Sequence, residues 1–536
     1  MSAMIHFSLS GKAFKVLSLV IILSLFACQP SGRELDLAGT DAFPLLEMDI
    51  PGLQQAYEQG RYSVEEVVQL YLARIEAIDR NGPVLNSIIQ LNPDAMDIAR
   101  ALDRELQEGI SRGPLHGVPV VLKDNIDTHD KMPTTAGSRA LANSFPLQDS
   151  YVAKKLREAG AVILGKANLS EWANFRGELS SSGWSGVGGQ TKNPYVLDRN
   201  PCGSSSGSAA AVSANLAMLA IGTETNGSIV CPSHATGIVG LKPTVGLVSR
   251  SGIIPIAYSL DIAGPMGRTV NDVAIALGCL TGIDKNDEKT LKSEGNKHAD
   301  YTRFLREDGL QGKRIGLFTA PLGRNFKVDE LMERAVDFMK EQGAEIIEIS
   351  QISAPNTGAH AFQVMLYEYK DGLNRYFASL GPDAPIGSLE ELIAFNNSDS
   401  ISMRYYNQRY LELAQEKDGL DSKAYREALA AMHRGSREEG IDRVMKEHNL
   451  DAIIAPTGSP AWKTDWINGD SFQLGSSSPA AHAGYPNITL PMGFVDDLPV
   501  GMSIFGRAWS EPLLLEIAYA YEQGTKHRQV PGFIGP

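Results

Sequence analysis

Between residues 63 and 79 (SVEEVVQLYLARIEAID) the apolar positions Val64, Val67, Val68, Leu70, Tyr71, Leu72 and Ile75 fall mostly along one stripe. Ser63 followed by Glu66 supplies a capping box at the start, so the pattern predicts an amphipathic helix. A second helix is expected over 93–108. The period then changes. GVPVVL at 117–122, AVILG at 161–165 and LAIG at 219–222 are short apolar runs of strand length, with helical stretches at 151–158 and 208–219 between them. RIGLF from 314, AEIIEI from 344, DAIIAP from 451 and NITLPM from 487 continue the series around a helix near 328–342. Strands without polar alternation, interleaved with helices, predict an α/β chain whose sheet is covered on both faces. The polar run 284–299 (DKNDEKTLKSEGNKHA) reads as a solvated surface connection.

The N-terminus departs from this pattern. Lys12 and Lys15 precede VLSLVIILSLFA at 16–27, which ends at Cys28. The apolar run is shorter than the roughly 20 residues needed to span a bilayer and describes an export signal over 1–28. Leu25-Phe26-Ala27-Cys28 resembles a bacterial lipobox, which implies a lipid on Cys28 and a periplasmic or cell-envelope location. That lipid would be the chain's membrane contact. Residues 29–54 read as an N-terminal tail and 55–536 as one domain. With 43% apolar residues there is ample material for a large core, and the net charge of -14 excludes a surface built to hold nucleic acid. Cys202, Cys231 and Cys279 remain, an odd number that allows at most one internal disulfide. Without CxxC spacing they suggest no metal site, and they read as small buried thiols rather than a Cys202–Cys231 bridge.

NPCGSSSGSAAA at 200–211 admits three readings. A phosphate cradle needs a lysine after its glycines, and Gly207 is followed by Ser208-Ala209-Ala210. A flexible linker would not run at once into the helical SAAAVSANLAML. Gly203-Ser204-Ser205-Ser206-Gly207 matches the Gly-x-Ser-x-Gly elbow of an esterase and would make Ser205 the nucleophile. That elbow must be fed by a buried strand, however, and the preceding KNPYVLDRNPC carries two prolines.

Lys123 directly follows the apolar run 117–122, at the strand end where α/β folds place chemistry, and a second glycine-flanked serine follows in GTETNGSIVCPS at 222–233. A lysine can act as a general base if burial keeps it neutral, at a cost of roughly 3–4 kcal/mol against its ordinary pKa. An oxyanion hole returns about 2.7–4 kcal/mol per donor. A Ser–Ser–Lys relay without histidine is therefore energetically reasonable.

GVPVVLKDNID (117–127), CGSSSGSAAAV (202–212) and GTETNGSIVCP (222–232) resemble the three signature stretches of the amidase signature family. The likeness extends through GKANLSEWAN (165–174), GLKPTVGLVSRSGIIP (240–255), DIAGPMGRTVND (261–272) and AGYPNITLPMGF (483–494), and is greatest to the peptide amidase branch. The resemblance implies a single α/β/α domain around a mixed sheet, with Ser228 as nucleophile, Ser204 as bridging serine and Lys123 as base. It places the oxyanion hole at the backbone of Thr225, Asn226, Gly227 and Ser228, and implies neither metal nor cofactor. It implies hydrolysis of a small-molecule or peptide amide, with peptide C-terminal amides the first expectation. Asn226 stands where the family usually has glycine, and Val230 where it often has arginine. Pocket residues are expected from 132–138, 168–174 and 365–397. The alternatives are an amidotransferase-type protein that needs partner subunits, an esterase using Ser205, and a tethered binding protein without activity.

Overall fold

The structure, a computed structural model, describes residues 43–535. The export signal and lipobox expected over 1–28 lie outside the described residues. Much of the expected tail does not: Phe43, Leu45, Ile50 and Leu53 are buried, and a helix spans Ile50–Glu58 with Asp49 as its N-cap. The helix expected at 63–79 begins as read. Ser63 Oγ accepts from Glu66 N at 3.1 Å, and Glu66 Oε2 accepts from Ser63 N at 2.8 Å. It runs Val64–Arg74 and then widens into a π-turn over Ile75–Arg80.

The strands in chain order are β1 (Ile88–Leu91), β2 (Pro119–Lys123), β3 (Val162–Ala167), a small hairpin β4 (Trp184–Ser185) and β5 (Gly189–Gln190), β6 (Leu219–Glu224), β7 (Val239–Lys242), β8 (Ile262–Gly267), β9 (Arg314–Phe318), β10 (Glu345–Ile349), β11 (Ala452–Pro456), β12 (Asn487–Val495) and β13 (Leu498–Phe505). All but the hairpin form one 11-stranded sheet in the order β1-β3-β2-β6-β8-β7-β12-β13-β11-β9-β10. It is mixed: β3, β2 and β6 run parallel, β8, β7, β12 and β13 pair antiparallel, and β11, β9 and β10 are parallel again. β2, β3, β6 and β11 are buried along their whole length, as strands covered by helices on both faces must be. The expected α/β/α architecture is the observed one.

Three local expectations are corrected. The helix expected over 208–219 spans only Ser206–Ser213, because Asn215 takes a left-handed φ of 58° and turns the chain toward β6. The polar run 284–299 is not simply solvated. Asp284 and Asp287 are buried, Asp284 accepting from Ser249 Oγ at 2.6 Å and Asp287 accepting from Arg250 Nε at 2.7 Å. Charge density in the sequence concealed partners some 35 positions away. Finally, Cys202 and Cys231 are not thiols: they form a disulfide with Cα atoms 5.9 Å apart, while Cys279 is free and partly exposed. Their separation of 29 residues encloses the helix Ser206–Ser213 and then β6, which together carry the chain away from Cys202 and back to Cys231.

Candidate active site

β2 and β6 are parallel neighbours, with Leu122 opposite Ile221. Their C-terminal ends therefore open side by side, and the site is built there. Lys123 closes β2. Its side chain is fully buried, and Nζ lies 2.8 Å from Ser204 Oγ, 2.8 Å from Thr223 Oγ1 and 3.1 Å from the Thr223 carbonyl oxygen. Burial pulls the Lys123 amine down to about 7, against the opposing pull of the Asp261 and Glu224 charges. Lys166 on β3 and Lys242 on β7 are equally buried, but their amines bond elsewhere. Lys166 Nζ donates to Ile126 O at 2.5 Å and Thr134 Oγ1 at 2.8 Å, and Lys242 Nζ to Tyr485 O at 2.7 Å.

Ser204 precedes the helix Ser206–Ser213, follows a cis Gly203–Ser204 peptide and is fully buried. Ser205 bonds β6 rather than the lysine. Its Oγ donates to Thr223 O at 3.1 Å and accepts from Thr223 N at 3.2 Å, so both its hydrogen-bonding roles are spent on β6. The chain entering this serine cluster is the loop through Asn200 and Pro201, with no strand leading directly into it.

Residues 225–229 link β6 to a short helix, Val230–Ala235, and carry Ser228, which is 8% exposed. Glu224 holds the turn: its Oε2 accepts from Ile229 N at 2.8 Å and Val230 N at 3.1 Å. Thr225 Oγ1 donates to Asp261 Oδ1 at 2.6 Å, while Asp261 Oδ2 accepts from Ile256 N and Ala257 N at 2.8 Å. The left-handed residue of the turn is Gly227, with φ of 84°, and not Asn226. Asn226 needs no glycine-like backbone; its side chain instead accepts from Ser477 Oγ at 2.7 Å and donates to Ser478 Oγ at 3.2 Å. Ser205 N donates to Ser228 O at 3.2 Å, which places the two serine-bearing segments side by side.

Above them opens a cleft of about 480 Å³. Gly203, Gly227 and Val230, chain neighbours of Ser204 and Ser228, line it together with Cys202 and Cys231. Its far wall comes from 177–182 and from Thr457, Trp462 and the loop 468–478, with Tyr410 at one side. Of the stretches expected to line it, only Asn174 does so. None of the lining residues is a lysine, arginine or histidine; Asp470 is the sole carboxylate. Sequence reasoning missed Thr223, Glu224 and Asp261. They lie within GTETNGS and DIAGPM, but their roles come from separate contacts that no motif spells out: Thr223 meets Lys123, Glu224 the backbone at 229–230, and Asp261 the Thr225 hydroxyl.

The family model described as Amidase matches residues 66–515. The chain belongs to the amidase family. The native peptide amidase of Stenotrophomonas maltophilia, solved by X-ray crystallography, is 49% identical with a TM-score of 0.88, covering 92% of this amidase and 99% of that chain. The peptide amidase PAM in complex with the competitive inhibitor chymostatin is similar to the same degree, 49% identical with a TM-score of 0.89 over 91% and 99% of the two chains. A glutamyl-tRNA(Gln) amidotransferase protein of Symbiobacterium thermophilum is 35% identical, covering 89% of this chain and 96% of that one. The amidase signature resemblance read from the sequence therefore holds, and the chain is an enzyme that hydrolyses an amide C–N bond.

Proposed function

We propose that the amidase hydrolyses the C-terminal carboxamide of peptides through an acyl-enzyme on Ser228, with Ser204 passing protons between Ser228 and Lys123. The observation that carries this reading is the 2.8 Å contact from Lys123 Nζ to Ser204 Oγ, made by an amine whose pKa burial brings to about 7. A neutral amine has two N–H bonds and one lone pair. Two hydrogens satisfy Thr223 O and Thr223 Oγ1, which leaves the lone pair for the Ser204 hydroxyl proton.

In the forward direction Ser228 gives its proton to Ser204 as Ser204 gives its own to Lys123, and Ser228 Oγ attacks the carboxamide carbon. The oxyanion that forms is held by backbone N–H groups of the turn Thr225, Asn226, Gly227 and Ser228. The ammonium of Lys123 returns the proton by the same path to the leaving nitrogen, ammonia departs, and water cleaves the ester along the same relay. Ser205 holds the loop to β6.

Peptide amides are supported by the likeness to the two peptide amidases. The cleft adds an independent reason. Lacking a cationic side chain to pair with a free carboxylate, it favours a neutral terminal amide. An ammonia-release screen with the purified single chain across peptide amides, amino-acid amides and simple carboxamides tests the reading. Turnover of peptide amides above the rest supports it. Release that required added partner subunits would point to the amidotransferase alternative.

Export and lipid attachment at Cys28 belong to the same proposal. A disulfide in a catalytic loop is at home in an oxidising compartment, which supports export. Mass determination of the mature N-terminus from cell envelopes tests it: a diacylated Cys28 is expected, and a chain retaining residues 1–27 overturns it.

A further inference from the structure

We propose that the Cys202–Cys231 disulfide is a positioning bond for the amidase reaction, fixing the segment that carries Ser204 against the segment that carries Ser228. The inference rests on the reading of those two serines as relay and nucleophile. Cys202 stands two residues before Ser204, and Cys231 three residues after Ser228. The segments are also tied on the other side, where Ser205 N donates to Ser228 O at 3.2 Å, the long end of the range for such a bond. The two cross-ties thus bracket Ser204, one directly after it and one two residues before it. With the disulfide open, that hydrogen bond and the two Ser205 Oγ bonds to Thr223 would still hold the chain after Ser204, while the disulfide's tie before Ser204 would be lost.

Each half of the disulfide is itself anchored. Cys202 N donates to Asn200 Oδ1 at 2.8 Å, and Cys202 O accepts from Ser206 Oγ at 2.6 Å. Cys231 N donates to Gly227 O at 2.8 Å, one residue before Ser228. Ala235 and Trp462 pack on the pair. Cys202 has φ of 59°, a backbone state that a residue bearing a β-carbon rarely takes unless its surroundings enforce it. Opening the bond would release that residue two positions before the relay serine. Both cysteines line the cleft, so the bond also forms part of the wall beside which the acyl group must sit.

The rival account is that the disulfide only stabilises the fold by restricting the unfolded chain. The two differ in what they do to chemistry in molecules that are fully folded. A displacement of the serines on the scale of 1 Å costs roughly 100-fold in rate. The test compares the native protein with Cys202→Ala/Cys231→Ala, at a temperature where circular dichroism shows both folded. It measures the rate of Ser228 labelling by a fluorophosphonate, together with kcat and KM on a peptide amide. A fall of tenfold or more in labelling rate and kcat, with KM within twofold, supports the proposal. Equal labelling and kcat, with only Tm lowered, overturns it. Native protein that is not labelled at Ser228 at all overturns the reading of the nucleophile instead, so the two failures are told apart. Should the double variant not fold, the native enzyme is treated with a dithiol. The dithiol gives up two electrons and two protons, becomes its own disulfide and leaves two cysteine thiols. The same fall in rate, reversed on reoxidation, is expected, and an unchanged rate in protein whose mass confirms reduction overturns the proposal.

Discussion

Lys123 Nζ lies 2.8 Å from Ser204 Oγ, and with the two hydrogens of the neutral amine directed to Thr223 Oγ1 and Thr223 O, its lone pair is left for that hydroxyl. The chain supplies this geometry by ending β2 at the lysine and continuing the neighbouring β6 one residue past Thr223 to Glu224.

The pH profile follows from the lysine. Burial lowers its pKa to about 7, so the neutral, proton-accepting form gains population as pH rises through that value. The expected log kcat/KM rises with unit slope below about pH 7 and levels above it. Lys123→Ala removes the limb and lowers kcat by about 10²–10⁴-fold. A profile that is flat from pH 5 to 9 would argue for a base other than Lys123.

Asp261 provides a signed test of the same group. Its negative charge favours the ammonium form of Lys123, so removing the charge lowers the lysine pKa further. The rising limb of Asp261→Asn is therefore expected at lower pH than that of the native enzyme. A shift toward higher pH would contradict the electrostatic account.

Ser205 and Ser228 separate by what their loss does. Ser205→Ala leaves the buried Thr223 N–H without its partner, a cost of about 1–3 kcal/mol read as a lower Tm, while most turnover survives. Ser228→Ala abolishes turnover with Tm little changed. The opposite pairing of effects would restore the esterase elbow.

Glu224 fastens the turn after the nucleophile. Glu224→Ala leaves the Ile229 and Val230 N–H groups unpaired, each costing about 1–3 kcal/mol. Glu224→Gln keeps an acceptor oxygen and is expected to recover most of the thermal stability. Equal melting temperatures for the two variants would mean that the carboxylate does not hold the turn.

Much of this site is legible in the sequence because its reactive residues lie inside short motifs. Lys123 ends an apolar strand, and Ser204 and Ser228 sit among glycines and small residues on either side of β6. The covered α/β sheet is legible for the same local reason, since its strands are continuous apolar runs, whereas its mixed character follows from the family resemblance alone. What stays hidden depends on contacts between distant segments. Asp261 reaches Thr225 across 36 positions, and Asn226 meets Ser477 across 251. The cleft wall at 457–478 is polar loop in the sequence and acquires its role only when the sheet brings β11 beside β13. The disulfide escapes a sequence reading because two lone cysteines 29 residues apart carry no spacing signal of their own.

The most direct test of the central claim is to trap the acyl-enzyme. A peptide amide is mixed with the enzyme, quenched in acid within the first turnover, and the protein digested and mapped by mass spectrometry. The account predicts the peptidyl ester on Ser228, its yield collapsing in Ser204→Ala and Lys123→Ala. An ester on Ser205, or ammonia release from Ser228→Ala at the native rate, would contradict it.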